Sequence, residues 1–334
     1  MKSLNSNSLV VLILFLILPQ LVIKTDEQLS RHLIYPKEYQ TLLKKGMDVD
    51  WCKTKKGIEY YREKEVVDIK KKGFSHVRIR VKADADKALL KHIDRVVNDC
   101  LKNGLIPVLA YQAKEFKAHP NDQTMAHAVK WWQIVSKHYS KYSYLLSFDL
   151  IIEVTDQLNK NNRKLNEFYE KAVALIRQTN PRRILFISPV YRSSPSYLKE
   201  LKIPSQGNGF LMAEWHFYAS GPSTTNSKKL WTKGTKKQKL LIINKIEQAY
   251  KWQQRTGIYT WVGAWMPGNY NKGNSYSLAQ QQKFASFMSC QLSKYHIPFA
   301  VNSSTKFYDR QTYQWIQSKE AVLNAILHPN CDDN

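Results

Sequence analysis

Ser147-Phe148-Asp149-Leu150-Ile151-Ile152-Glu153-Val154-Thr155-Asp156 is the stretch on which the reading of this chain turns. Phe148, Leu150, Ile151 and Ile152 make a near-continuous apolar run, which suits a strand covered on both faces. Glu153 then stands where the strand gives way to a loop. In a closed parallel barrel that end of a strand is where catalytic side chains project. A strand-end glutamate can equally be a solvated one, so its surroundings decide.

Working outward, apolar runs of strand length alternate with segments of helical period. Before the central stretch come strands at 46–51, 74–81 and 105–110. Helices lie between them at 59–72, closed by Gly73, and at 84–103, where Leu89, Leu90, Ile93, Val96, Val97 and Leu101 recur near the helical period. A helix at about 124–139 leads into the central strand. After it come helix 165–179, strand 183–188, a short helix near 196–201, and strand 210–216. The chain continues with helix 236–255, strand 259–265, helix 278–295, strand 298–301 and helix 313–327. Eight strands, each followed by a helix, predict a parallel α/β architecture, and eight units predict closure into a (β/α)8 TIM barrel. A doubly wound open sheet is the alternative, but no Gly-x-Gly-x-x-Gly follows the first strand, which weakens a dinucleotide-binding reading. No linker or internal repeat divides the chain. It reads as a signal or N-terminal anchor (1–24), a polar approach segment (25–45), one barrel domain (46–328) and a tail (329–334).

The 334 residues are 43% hydrophobic, enough for one large core or two modest ones, and 9 Trp, 19 Tyr and 12 Phe argue against disorder. Lys2 followed by the apolar run 9–18 has the form of an export signal. The cleavage site is unclear, so an uncleaved anchor is the alternative and the sole expected membrane contact. A secreted, periplasmic or extracellular location follows. Cys52, Cys100, Cys290 and Cys331 are far apart with no Cys-x-x-Cys, which speaks against a metal site and leaves either one disulfide or buried free thiols. The net charge of +24 would favour a polyanion: an acidic glycan, nucleic acid or anionic lipid. The lysines are dispersed, as on a solvated surface, and no nucleic-acid motif accompanies them.

The strand ends gather Asp48 and Asp50, Arg78 and Arg80, Gln112, Glu153 and Asp156, Glu214, His216 and Tyr218, Trp265, and Asn302 on one rim. Acidic, amide and aromatic groups together suit a sugar site: rings stack on pyranose faces and polar groups fix hydroxyls. Glycoside cleavage commonly uses two carboxyl groups. The long loops of this rim, including 220–226 and 269–271, are where selectivity is expected.

From Gly46 to Trp315 the chain resembles glycoside hydrolase family 5, the cellulase family, a retaining (β/α)8 barrel. Gly73-Phe74-Ser75-His76-Val77-Arg78-Ile79 is similar to its second strand, with the arginine at Arg78. The run from Phe148 to Val154 lies where the family has a strand ending Asn-Glu-Pro, which places Glu153 at the acid/base. His216-Phe217-Tyr218 matches the His-x-Tyr after its sixth strand. Trp261-Val262-Gly263-Ala264-Trp265 lies where the family ends a strand in Gly-Glu-Phe or Gly-Glu-Trp.

The departures carry equal weight. Ala264 occupies the place of the family's nucleophile, and a methyl group cannot attack an anomeric carbon. Ile152 and Val154 replace the Asn and Pro beside the acid/base, and Gln112 replaces a His. Glu214, two residues before His216 and so facing the same way, is the favoured substitute carboxylate. A separation of about 5 Å from Glu153 would suit retention, and roughly 6.5–9.5 Å inversion. Asp48, Asp50 and Asp156 are reserves. The alternatives are a glycan-binding barrel without turnover, or an Ala264 introduced into an otherwise ordinary enzyme, against which the losses at Ile152 and Gln112 speak. The expectation is a monomer acting on O-glycosidic bonds of a poly- or oligosaccharide, to which the positive charge would suit acidic sugars. Glu153 and Glu214 are the catalytic pair, and Asp50, Arg78, Arg80, Gln112, Asp156, His216, Tyr218, Trp265 and Asn302 bind substrate. No cofactor, metal or nucleic acid is expected.

Overall fold

A computed structural model describes residues 33–218, 231–267 and 276–331. The apolar N-terminal stretch 1–24, the rim loops 220–226 and 269–271, and the last three residues of the tail lie outside the described residues. Eight parallel strands close in sequence order into a barrel: β1 (Lys45–Cys52), β2 (His76–Val81), β3 (Ile106–Tyr111), β4 (Ser147–Asp149), β5 (Leu185–Ile187), β6 (Leu211–Tyr218), β7 (Thr260–Met266) and β8 (Phe299–Asn302). β8 returns to pair with β1, with Asp48 opposite Asn302. The open-sheet alternative is thereby set aside.

Helices cover the outside of the barrel, and local signals fix their ends. Gly73, at φ 109°, closes the helix Glu63–Lys72 with a left-handed residue. Asp86 caps the helix Lys87–Lys102 by accepting from the Leu89 N–H at 2.7 Å. Ser277 and Gln280 form a reciprocal capping box on the helix Leu278–Lys294. Outward-facing strand residues such as Val77, Ile79, Phe148, Leu185 and Trp215 pack with this helix layer in one continuous core.

Three boundaries differ from expectation. The segment before β1 is not simply a polar approach: Pro36–Leu43 is a helix with Tyr39 and Leu43 buried. Both join Ile106, Val108, Phe186, Met212 and Trp261 in an inner core near the strand starts, so this helix closes the lower end of the barrel. The Tyr39 hydroxyl donates to Ser147 Oγ at 2.8 Å, and Gln40 Nε2 to the Thr260 carbonyl at 2.8 Å. β4 is shorter than its apolar run, although Leu150 N–H still bonds to the Phe186 carbonyl and Ile152 N–H to that of Tyr111. The last helix begins at Glu320, because Tyr308–Asp309 and Gln314–Trp315 pair as a small antiparallel ribbon.

Candidate active site

The inner faces of the strands meet in layers. Above the apolar lower layer, Asp48 (β1), Arg78 (β2), Asp149 (β4) and Glu214 (β6) converge, each essentially without exposure. Arg78 is the hub. Its Nε and Nη2 donate to the two oxygens of Asp48, each at 3.0 Å, a bidentate fork. Its Nη1 donates to Glu214 Oε1 and lies 3.5 Å from Asp149 Oδ2. Arg80 Nε reaches Asp48 Oδ1 at 3.4 Å. Three buried carboxyl groups therefore share two guanidinium groups, and full ionisation would leave an uncompensated buried negative charge. Burial pushes Asp48 up, but Arg78 and Arg80 outweigh it and hold this carboxyl below its usual range. Burial, reinforced by the Glu214 carboxylate and opposed by Arg78, pushes Asp149 well up. Burial raises Glu214 to about 7 against the pull of Arg78, with Asp48 and Glu153 adding to the rise. The cluster keeps a proton near neutral pH.

His216 lies directly above. Its Nε2 is 2.7 Å from Glu214 Oε1 and 3.2 Å from Arg78 Nη1. Burial and the Arg78 charge lower it to about 3, so the ring is neutral, and a proton on Glu214 can be donated to Nε2. Glu214 leans on Gly263: a Cβ there would lie 1.9 Å from Glu214 Oε1. That contact explains the glycine on β7, because only a residue without a side chain leaves room for the carboxyl. Ala264 pairs in register with His216 and packs with Tyr218 and Met266.

Glu153 sits higher, at the mouth. The extended run ends where Glu153 turns left-handed, at φ 46°, and Asp156 does the same at φ 54°. Such a conformation costs a non-glycine residue about 1–2 kcal/mol, so surrounding contacts must hold it. Lys117 supplies them: its Nζ donates to the carbonyls of Ile152 (3.0 Å) and Glu153 (3.3 Å) and to Gln112 Oε1 (3.3 Å). Burial lowers the Lys117 ammonium to about 8, opposed by Glu153 and Asp156. The Glu153 side chain is 19% exposed, and its Oε1 lies 3.6 Å from Arg192 Nη1. Arg78 is occupied by the deeper cluster, so the arginine beside Glu153 is Arg192.

The other expected site residues divide. Arg78, Arg80, His216, Tyr218, Asn302 and Gln112 do face the barrel interior or its mouth, and Asn302 Nδ2 donates to the Tyr218 hydroxyl at 3.2 Å. Asp50 belongs to a side cluster, ion-paired to Arg310, whose Nε also binds Glu65 at 3.1 Å. Asp156 is exposed and accepts from the neighbouring Thr155 hydroxyl at 2.8 Å. Trp265 is not on the rim. A register shift in β7 turns it outward, where its ring packs on Phe284 (5.9 Å) and Phe299 (5.3 Å) with no exposure. Its expected role as a sugar platform is corrected accordingly. Glu214, expected to point into the cleft, is fully enclosed beneath His216.

Sequence reasoning missed Asp149, Lys117 and Arg192. Asp149 had a signal, a charge within an apolar run and in phase with inward-facing Ser147. Lys117 and Arg192 lie on connecting segments, where no periodicity says which way a side chain points.

Residues 37–304 match the family described as Cellulase (glycosyl hydrolase family 5). Endoglucanase H of Acetivibrio thermocellus is 22% identical over 290 residues, covering 83% of this chain. The matched region is 31% of that longer protein. Among solved structures, endoglucanase Cel5A of Thermotoga maritima superposes with a TM-score of 0.77 at 21% identity, covering 88% of this chain and 100% of that one. The cellulose synthase subunit Z of Clostridioides difficile gives 0.73 at 22% identity, covering 86% and 100%. These likenesses agree with the eight-stranded closure described above.

Proposed function

The chain belongs to the cellulase family, glycosyl hydrolase family 5, and from that premise we propose that it acts on O-glycosidic bonds of a polysaccharide at the barrel mouth, with Glu153 as general acid/base. The observation that carries this reading is the placement of Glu153. It stands at the end of the β4 run, partly exposed, on a left-handed turn held by Lys117, while the deeper carboxyls are sealed. Glu214 is the proposed second carboxylate. It lies on the strand beside Ala264, and its pKa of about 7 suits exchange of a proton near neutrality. To touch a sugar or water, Glu214 needs His216 to move aside.

The same enclosure favours a second reading, glycan binding without cleavage. With a methyl group at Ala264 and Glu214 beneath His216, the resting site presents no nucleophile at the family's position. Turnover of a panel of activated aryl glycosides and soluble polysaccharides separates the two. Under the first reading the wild type releases product and Glu153→Gln abolishes release while saccharide binding persists. Product release unchanged by Glu153→Gln rejects the assignment, and saturable binding with no product from any substrate selects the second reading.

Export is proposed on two supports: the N-terminal apolar run and the Cys290–Cys331 disulfide, since such bonds persist in oxidising compartments.

A further inference from the structure

The loop after β5 holds three consecutive non-glycine residues in the left-handed region, Tyr191 (φ 55°), Arg192 (φ 58°) and Ser193 (φ 56°). Backbone strain of this kind persists only where surrounding contacts over-determine it, and it concentrates at functional sites. The contacts here run to the Glu153 loop: the Arg192 N–H donates to the Val154 carbonyl at 2.9 Å and to Asn159 Oδ1 at 2.8 Å. The result is a guanidinium set beside Glu153, and the residue before it in the chain, Tyr191, carries an exposed ring.

We propose that Tyr191 and Arg192 form a subsite for a uronic acid residue of the polysaccharide, with Tyr191 as stacking surface and Arg192 as carboxylate clamp. This rests on the reading of the Glu153 mouth as a saccharide site. Arg192 is 33% exposed, and its 3.6 Å contact with Glu153 is an ion pair without a hydrogen bond, since Glu153 Oε1 has no hydrogen-bond partner among the described residues. The guanidinium fork is thus held in place by charge while its donors remain available, and its planar geometry matches a sugar carboxylate bidentately. Tyr191 is 41% exposed and stacked on Tyr197 at 4.0 Å and 19°, so one face is backed and the ring is presented outward. An exposed aromatic ring suits a pyranose face and a guanidinium suits a sugar carboxylate, and the positive charge of the chain favours the approach of such a polymer.

The test is calorimetric titration of the full chain with a glucuronic acid-bearing oligosaccharide and with the same oligosaccharide after reduction of its carboxyl to the alcohol. The wild type should prefer the acidic form by about tenfold. Arg192→Ala should bind both forms alike, Arg192→Lys should keep part of the preference, and Tyr191→Ala should weaken both forms while preserving their ratio. Equal binding of the two forms by the wild type, or a preference that survives Arg192→Ala, overturns the subsite. The readout needs no turnover: a preference in a protein that cleaves nothing supports the subsite while rejecting the hydrolase reading, and binding of neither form overturns the subsite and the saccharide reading together.

Discussion

Glu214 shows how one residue's surroundings set its chemistry. Its carboxyl is raised from 4.5 to about 7, chiefly by burial, so the folded state binds a proton there that the unfolded chain releases. Stability from this group is therefore full below about pH 4.5 and is lost as pH rises through about 7, by at most about 3 kcal/mol. His76 and His216 work in the opposite direction. Both are depressed chiefly by burial, to about 4 and about 3, so their share is present above 6.5 and lost as pH falls. Denaturant unfolding of Glu214→Gln against wild type isolates the first effect. The difference should move in the variant's favour by up to about 3 kcal/mol between pH 4.5 and 7.5, and a pH-independent difference contradicts the proton-holding cluster. At this scale the sequence was informative where periodicity applied. Arg78, Glu214 and His216 share inward parity, and so they meet. It was silent on depth: period two says that Glu214 faces inward, not that His216 and Arg78 seal it there.

At the scale of elements, β6 and β7 fit together through an absence. The Glu214 carboxyl fills the space where a Gly263 side chain would be. Gly263→Ala should lower unfolding stability by about 1–3 kcal/mol, as overpacking in a dense core does. Thermal or denaturant melts check this, and a neutral substitution would mean that the two strands do not approach so closely. Strand existence and order were legible from the apolar runs, whereas β4 was not legible in detail. Phe148–Ile152 reads as one strand, yet regular pairing stops at Asp149 and the run ends in the left-handed Glu153. Propensity gives no warning of such a turn, because it is imposed from outside by Lys117. Trp265 was misread for a related reason: strict alternation fails across the register shift between Val262 and Trp265.

At the scale of the molecule, the barrel is closed below by the helix Pro36–Leu43 and its C-terminal segment is tied to the helix Leu278–Lys294 by Cys290–Cys331, while Cys52 and Cys100 are buried and free. Opening that 41-residue span should lower stability by about 2–4 kcal/mol. Comparing Cys331→Ser with wild type under non-reducing conditions checks it, and identical melts would mean that the bond does not form in solution. The overall architecture was the most legible property, since eight strand–helix units allow few closures. The proposed reading is a family barrel with Glu153 as acid/base and with the enclosed Glu214 standing in for the strand-7 carboxylate that Ala264 lacks. The most direct measurement is turnover of an activated aryl glycoside by Ala264→Glu, alone and combined with Glu153→Gln, in proteins shown by circular dichroism to be folded. The account predicts that Ala264→Glu raises turnover at least about tenfold above wild type and that Glu153→Gln removes the gain. A folded Ala264→Glu variant with no gain, or a gain that survives loss of Glu153, contradicts it.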